Sequence, residues 1–172
     1  MKLKRLLSVL DVCACTADPE LDIRDISFDS RTTQPGDLFA AVCGYESDGH
    51  RFIGAAVERG AAVVLCQKRP EVDIPYILVA DSRLALSRIC CEFFDNPSRE
   101  LTMIGVTGTN GKTTVTTLIK HMLEQCLHTK VGLIGTNANI IGDEALHTEH
   151  TTPDAYEPVS YTHLTLPTIL RV

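Results

Sequence analysis

Residues 104–114, IGVTGTNGKTT, constrain the fold of this chain more than any other stretch. A short apolar strand, Thr102 to Val106, runs directly into Gly-Thr-Asn-Gly-Lys-Thr-Thr, and a helical pattern follows from about Lys112 to Gln125. There Val115, Leu118, Ile119 and Met122 recur at three- and four-residue spacing, which predicts a helix laying that face on a sheet. Lys130 to Ile134 reads as the next strand. Strand, glycine turn, helix and strand make the start of a βαβ unit, so the fold class here is α/β.

The same loop carries chemistry. Binding a polyphosphate takes a turn that brings backbone N–H groups to the phosphates, a lysine that reaches the terminal ones, and a hydroxyl for the accompanying Mg²⁺. Gly108 and Gly111 permit close backbone approach, Lys112 supplies the cation, Thr113 the Mg²⁺-facing hydroxyl, and the following helix the positive end of its dipole. The general phosphate-loop pattern wants a further glycine at 106, where this chain has Val106. That favours families using the shorter Gly-Thr-Asn-Gly-Lys-Thr form over the generic GTPases and ATPases.

Ahead of this unit, residues up to about Pro97 alternate apolar strands with helical stretches. Strands are expected at Ile23 to Phe28, Leu38 to Val42, Ala62 to Cys66 and Tyr76 to Val79. A helix with Phe52, Ile53, Ala56 and Val57 on one face ends at Gly60, and a second starts after Asp81-Ser82 with Leu84, Ile89 and Phe93 among its apolar positions. DNPSRE, 95–100, reads as a linker. The expected organisation is a small N-terminal α/β domain over 1–97, then the truncated start of a P-loop-type α/β ATPase domain over 98–158.

Net charge of −6, with lysines and arginines scattered rather than clustered, argues against a nucleic-acid groove but leaves room for a discrete anionic ligand. Apolar runs such as Ala61 to Cys66 are far too short to span a bilayer, and no cleavage site follows the N-terminal MKLKRLLSVLDVC. A cytoplasmic protein is expected. The seven cysteines, Cys13, Cys15, Cys43, Cys66, Cys90, Cys91 and Cys126, lie mostly within apolar segments, where a reduced thiol behaves as a small hydrophobe. Neither they nor His147 and His150 show a metal-ligand set.

Three separately placed motifs resemble the Mur ligases, ATP-dependent enzymes that add amino acids to the UDP-N-acetylmuramoyl peptide precursor of peptidoglycan. GTNGKTT is similar to their ATP-binding loop. DSRTTQPGDLFAAVCGYESDGHRFIGAAVERGA, 29–61, resembles the N-terminal domain of the third and fourth ligases of the pathway, and HTTPD, 150–154, a substrate-contacting segment of the third. The resemblance spans about residues 20 to 157. It implies ATP and Mg²⁺ held by Gly108, Thr109, Asn110, Gly111, Lys112, Thr113 and Thr114, with Lys112 and Thr113 catalytic. It also implies that Phe28, Ser30, Tyr45, Glu46 and Ser47 meet the UDP-sugar and that His150, Thr151 and Thr152 meet the muramoyl side. The partners would be a UDP-N-acetylmuramoyl dipeptide and an amino acid, meso-diaminopimelate or L-lysine.

From the residues alone, Asp29-Ser30-Arg31 reads as a polar turn before it reads as a nucleotide contact, and Asp81-Ser82-Arg83 repeats it at a helix start. His50, after Asp48-Gly49, reads as a turn or substrate-side residue. Later central-domain residues, including a modified lysine, and a third domain are expected in the family and have no counterpart here, so the chain is expected to be inactive alone. A fourth-step ligase and a non-catalytic nucleotide-binding module are the alternatives; folylpolyglutamate synthase has a similar loop but without a long leading domain. Residues 159–168, VSYTHLTLPT, resemble one reading frame of a transposase adapter used in library preparation. Residues 159–172 are therefore expected to be non-native read-through with no packing.

Overall fold

The computed structural model describes residues 1–44, 48–135, 139–142, 144–146 and 168–171. They fall into two units, Met1–Phe93 and Phe94–Val172. Each is an α/β layer built on its own five-stranded sheet.

The first unit runs α1 (Leu3–Leu7), β1 (Val12–Cys15), β2 (Ile26–Ser27), β3 (Leu38–Ala40), a 3₁₀ turn (Gly49–Phe52) leading into α2 (Ile53–Glu58), β4 (Val63–Cys66), β5 (Tyr76–Val79) and α3 (Ser82–Phe93). The sheet order is β1-β5-β4-β3-β2. Strands β2 to β5 are mutually parallel, and β1 joins the edge antiparallel to β5. All four residues of β4 are buried, as befits a strand covered on both faces. Phe39, Ile53, Ala56, Val64, Cys66 and Tyr76 are part of one core cluster. Helix α2 seats Ile53 and Ala56 in it, leaves Phe52 exposed, and stops at Gly60, whose φ is +97°.

Several sequence expectations change, the exposure of Phe52 among them. Leu84 faces solvent; α3 buries Ala85, Leu86, Ile89 and Cys90 instead. Of the cysteines only Cys66 and Cys90 are buried, whereas Cys13, Cys15, Cys43 and Cys126 are exposed. Cys13 and Cys15 are exposed because β1 is an edge strand with every residue open to solvent. Helix α1 and β1 had no periodic signal, being five and four residues long. Their order comes from partners distant in sequence: the N-terminal ammonium donates to the Ile23 carbonyl at 2.7 Å, and Lys2 and Lys4 pair with Asp22 and Glu20.

The second unit contains β6 (Thr102–Gly105), α4 (Lys112–Leu127), β7 (Val131–Ile134), β8 (Asn139–Ile141), β9 (Glu144–Leu146) and β10 (Thr168–Arg171), in the order β6-β10-β7-β8-β9. Strands β6, β10 and β7 are parallel; β8 and β9 continue antiparallel. The expectation that residues 159–172 pack nowhere is overturned for 168–171. The β6–α4–β7 crossover leaves one strand's width between its strands, and β10 pairs with both open edges, satisfying backbone groups that would otherwise lack partners.

The expected inward face of α4 is also corrected. Val115, Leu118 and Met122 are exposed, and the buried residue is Thr116, flanked by half-buried Ile119, Lys120 and Leu123. Lys120 can point inward because its Nζ donates to both Glu124 carboxylate oxygens, at 2.6 and 2.7 Å, and to the Gly142 carbonyl at 2.9 Å. A stripe defined by spacing alone fits either side of this helix.

Candidate functional site

In the second unit the loop between β6 and α4 has the local geometry that its glycines predict. Gly108 (φ +150°) and Gly111 (φ +78°) both lie where a side chain is disfavoured, and Gly111 is the N-cap of the sixteen-residue α4. No atom crowds a Cβ at Gly111, so glycine is required there by backbone conformation rather than by space. Thr109, Asn110, Thr113 and Thr114 are exposed around the turn. Lys112 folds back to donate to the Gly108 carbonyl at 2.7 Å. The loop therefore gathers a lysine ammonium, a helix N-terminus with its unpaired N–H groups and the hydroxyls of Thr109, Thr113 and Thr114 at the C-terminal end of a parallel strand, a donor set that fits an anion.

In the first unit, β2 to β5 being parallel puts the residues that follow each of them on one edge of the sheet. Phe28 and Ser30 follow β2, the segment from Cys43 to His50 follows β3, Gln67 follows β4, and Asp81 to Arg83 follow β5. This carboxyl edge is where open α/β sheets bind ligands. Ser30 is buried, and its neighbours Asp29 and Arg31 form a closed pair. The Asp29 carboxylate takes the Arg31 backbone N–H at 2.8 Å and the guanidinium at 2.7 Å, which holds its carboxyl below the ordinary range. Asp81 accepts the Arg83 N–H at 2.9 Å in the same way, adding Leu84 N–H to cap α3. The repeated tripeptide is thus one local turn used twice, and by itself it does not mark a site.

A feature with far less sequence signal occupies the same edge. Asp48 and Cys43 are bridged across the segment they bracket. The Asp48 carboxylate accepts His50 Nδ1–H at 2.6 Å, the His50 backbone N–H at 3.1 Å and the Cys43 thiol at 3.3 Å. These bonds, His50 first, push the Asp48 carboxyl far below its usual range, and the same carboxylate pushes the Cys43 thiol up. On the other side of the ring, His50 Nε2 accepts the Gln67 backbone N–H at 2.9 Å. Gly49 makes this possible: a Cβ there would lie 2.7 Å from the Val42 carbonyl oxygen.

Among the described residues, Cys43, Asp48 and His50 form the one cluster of metal-ligand types, with their ligand atoms within 4.8 Å. The proton count speaks against a metal. Because Nε2 accepts, the imidazole proton resides on Nδ1, where it is donated to Asp48. A cation at Nδ1 would displace that proton while Nε2 stayed occupied, leaving an imidazolate. The cluster is a hydrogen-bonded strut.

Tyr45, Glu46, Ser47, His150, Thr151 and Thr152, and with them His147, lie outside the described residues. Gln67 could not have been found from the sequence, since it contributes a backbone N–H to a ring 17 residues away.

A sequence model described as "Mur ligase family, catalytic domain" matches residues 22–93, and one described as "Mur ligase middle domain" matches residues 106–166. This chain belongs to the Mur ligase family. Among its relatives, the UDP-N-acetylmuramoyl-L-alanyl-D-glutamate–2,6-diaminopimelate ligase of Bacteroides fragilis is 45% identical over 157 residues, covering 90% of this chain and 32% of that protein. The enzyme of the same name from Clostridium tetani is 44% identical over 162 residues, covering 91% and 33%. The chain thus spans about a third of the length of these relatives.

Two solved structures of Mur ligases share its fold. A UDP-N-acetylmuramoyl-L-alanyl-D-glutamate–2,6-diaminopimelate ligase superposes with a TM-score of 0.78 at 24% identity, over 100% of this chain and 36% of that one. MurF ligase from Thermotoga maritima, solved in complex with ADP, superposes with a TM-score of 0.60 at 25% identity, over 88% and 32%. The middle-domain match begins at Val106, so the glycine loop falls inside it, and the carboxyl-edge residues from Phe28 to Arg83 fall inside the other.

Proposed function

We propose that this chain carries the UDP-sugar-binding and ATP-binding parts of a third-step Mur ligase. That enzyme joins meso-diaminopimelate or L-lysine to UDP-N-acetylmuramoyl-L-alanyl-D-glutamate. Residues 1–97 form the UDP-sugar domain and 98–158 the start of the ATP-binding domain. The reading rests on one observation above the others: a Gly108–Thr114 loop with two positive-φ glycines and Lys112, joined to a leading unit in the order of relatives that bear that name.

Bound ATP with Mg²⁺ would supply the phosphoryl group that turns the dipeptide's free carboxylate into an acyl phosphate, from which the amino acid's amine displaces phosphate. Lys112 neutralises charge on the transferring group, and the Gly108, Thr109, Asn110 and Gly111 backbone cradles the phosphates. Thr113 and Thr114 offer hydroxyls at the start of α4, Thr113 toward the Mg²⁺. In the first unit Phe28, Ser30, Tyr45, Glu46 and Ser47 hold the UDP end, and His150, Thr151 and Thr152 the muramoyl side, so that the carboxylate is presented in line. No helix among the described residues is long and apolar enough to cross a membrane, and the substrates are those of the cytoplasm.

Isothermal titration of the purified chain with ATP and Mg²⁺ tests the reading. Lys112 makes a charge-assisted contact worth about 1.5–3 kcal/mol, so Lys112→Ala should bind about 10- to 100-fold more weakly. Equal affinity for variant and wild type would remove the loop from the nucleotide site. The isolated chain is expected to bind without turnover; ATP-dependent amide formation by it would contradict this.

A further inference from the structure

We propose that Thr33, with Ser27 behind it, is a positioning residue for the UDP end of the substrate, closing the turn after β2 so that the Ser30 hydroxyl is fixed in place and left unspent for the ligand. The proposal rests on the reading of the first unit as the UDP-sugar domain and adds to it two residues that act through Ser30 without being contacts themselves.

The two Asp-Ser-Arg turns at the carboxyl edge differ at their serines. Both serines are buried, Ser30 at 9% exposure and Ser82 at 0%. The Ser82 hydroxyl is used within the fold, donating to the Gln67 side-chain carbonyl at 2.9 Å. The Ser30 hydroxyl has no hydrogen-bond partner among the described residues. Buried side-chain atoms that are both partnerless and closed to solvent are, among those residues, the amide atoms of Asn139 alone, so the Ser30 hydroxyl still meets solvent. A buried hydroxyl whose proton and lone pairs are all unused is unusual, and here it is open to a partner from outside.

A relay of hydroxyls across the base of the turn sets where Ser30 stands. Thr33 Oγ1 donates to the Asp29 carbonyl at 3.2 Å and lies 3.0 Å from Ser27 Oγ. Thr33 has one hydroxyl proton and gives it to that carbonyl, so Ser27 is the donor in the second contact. Both residues are buried, and water does not compete for the relay. The Asp29 carbonyl also accepts the Thr32 N–H at 3.1 Å and the Thr32 hydroxyl at 3.0 Å. Three donors occupy its two lone pairs, and none is left for Ser30. Beyond Thr33, the buried Asp37 carboxylate takes the Gln34 N–H at 2.8 Å and the Arg24 guanidinium at 2.9 Å. Arg24 precedes β2 and Asp37 precedes β3, so the turn hangs between two fixed strand entries. With the turn already closed, binding spends less free energy on ordering it, which is how preorganisation raises affinity.

The test is titration of the whole 172-residue chain with UDP-N-acetylmuramoyl-L-alanyl-D-glutamate, alongside thermal melting. Thr33→Val keeps the shape without the hydroxyl and should weaken binding roughly ten-fold, the scale of order left to be established on binding. Thr33→Ser keeps the hydroxyl and should stay within about two-fold of wild type. Ser30→Ala should weaken binding several-fold by itself. In that background Thr33→Val should cost less than about two-fold more, because its effect runs through Ser30. If Thr33→Val does not fold, Ser27→Ala, alone and with Ser30→Ala, carries the same comparison with an effect of about four-fold. Folded Thr33→Val with a lower melting temperature but wild-type affinity would reduce the relay to a stability device and overturn the proposal. Thr33→Ser as weak as Thr33→Val, or an undiminished Thr33→Val effect in the Ser30→Ala background, would also overturn it. Ser30→Ala with wild-type affinity would overturn it while leaving the UDP-sugar reading in place. Wild-type chain that does not bind the substrate would instead sink that reading, and this proposal with it.

Discussion

Gly49→Ala and Gly54→Ala differ by five positions and should move stability in opposite directions. A Cβ on Gly49 would sit 2.7 Å from the Val42 carbonyl oxygen, 2.8 Å from the Val42 nitrogen and 3.3 Å from the Ala41 carbonyl carbon. All three are backbone atoms at the exit of β3, so no side chain can swing aside. Ala41 N–H is itself bonded to the Leu65 carbonyl at 2.8 Å, which ties that exit to β4. Relieving the clash by shifting backbone costs about 1–3 kcal/mol, and lengthening the Gly49–Val42 hydrogen bond roughly another 0.5–1.5 kcal/mol.

At about 4–8 °C per kcal/mol for a unit of this size, Gly49→Ala should lower the melting temperature by roughly 6 °C or more. Gly54 lies in α2 with nothing within 4 Å of its would-be Cβ. There alanine restricts the unfolded chain and suits the helix, stabilising by about 0.5–1 kcal/mol. Urea and thermal melts followed by circular dichroism measure both. Equal stability of Gly49→Ala and wild type, or a comparable loss in Gly54→Ala, would refute the steric reasoning.

The Asp48 carboxyl, held far below its ordinary value of 3.8 chiefly by His50, gives a stabilisation that is complete above that value and lost as pH falls toward the folded-state one. Melting temperature followed from pH 7 down to pH 3 should fall less steeply in Asp48→Asn than in wild type. Burial pushes the Cys66 thiol up to about 11 and the Cys90 thiol to about 12, so at pH 8 neither should react with a thiol reagent until the chain unfolds. Mass spectrometry of partially labelled protein should find Cys13, Cys15 and Cys126 modified first, and Cys43, its thiol shifted up by Asp48, more slowly. Ile89→Ala should cost about 2–4 kcal/mol, because Ile89 is 0% exposed, while Leu84→Ala, at 50% exposure, should cost under about 0.5 kcal/mol.

Legibility from sequence tracks how local the determining forces are. The geometry of the loop at 104–114 was readable, because its positive-φ glycines and the helix start are contiguous. Tyr76 to Val79 was placed to the residue, and Leu38 and Val63 fell within one position of the expected strand starts, because buried parallel strands are short unbroken apolar runs. The expected strand at Ile23 to Phe28 shrank to Ile26–Ser27, since Asp25 and Phe28 flank a strand held on one side only, by β3. The faces of α3 and α4 were not readable. Leu84, Val115, Leu118 and Met122 satisfy helical spacing, yet the sheet takes the neighbouring stripe, including Thr116 and the hydrogen-bonded Lys120.

Sequence by itself determined the α/β class, the strand–loop–helix–strand run from Thr102 to Ile134 and the conformation of its glycine loop, since each depends on residues within a few positions of one another. Tertiary structure decided the rest. The edge that gathers Phe28, Ser30, Cys43, Asp48, His50 and Gln67 exists because four strands run parallel, a property of pairing between distant segments. His50 reads as a turn or substrate-side residue in the sequence and becomes the link between β3's exit and β4's end only because folding brings the Gln67 N–H to its Nε2. The same is true of the Thr168–Arg171 stretch, which gains its place from two open strand edges rather than from its neighbours in the chain. Spacing can name a donor and an acceptor, but their meeting is set by backbone pairing across tens of residues, and that information is held in the fold.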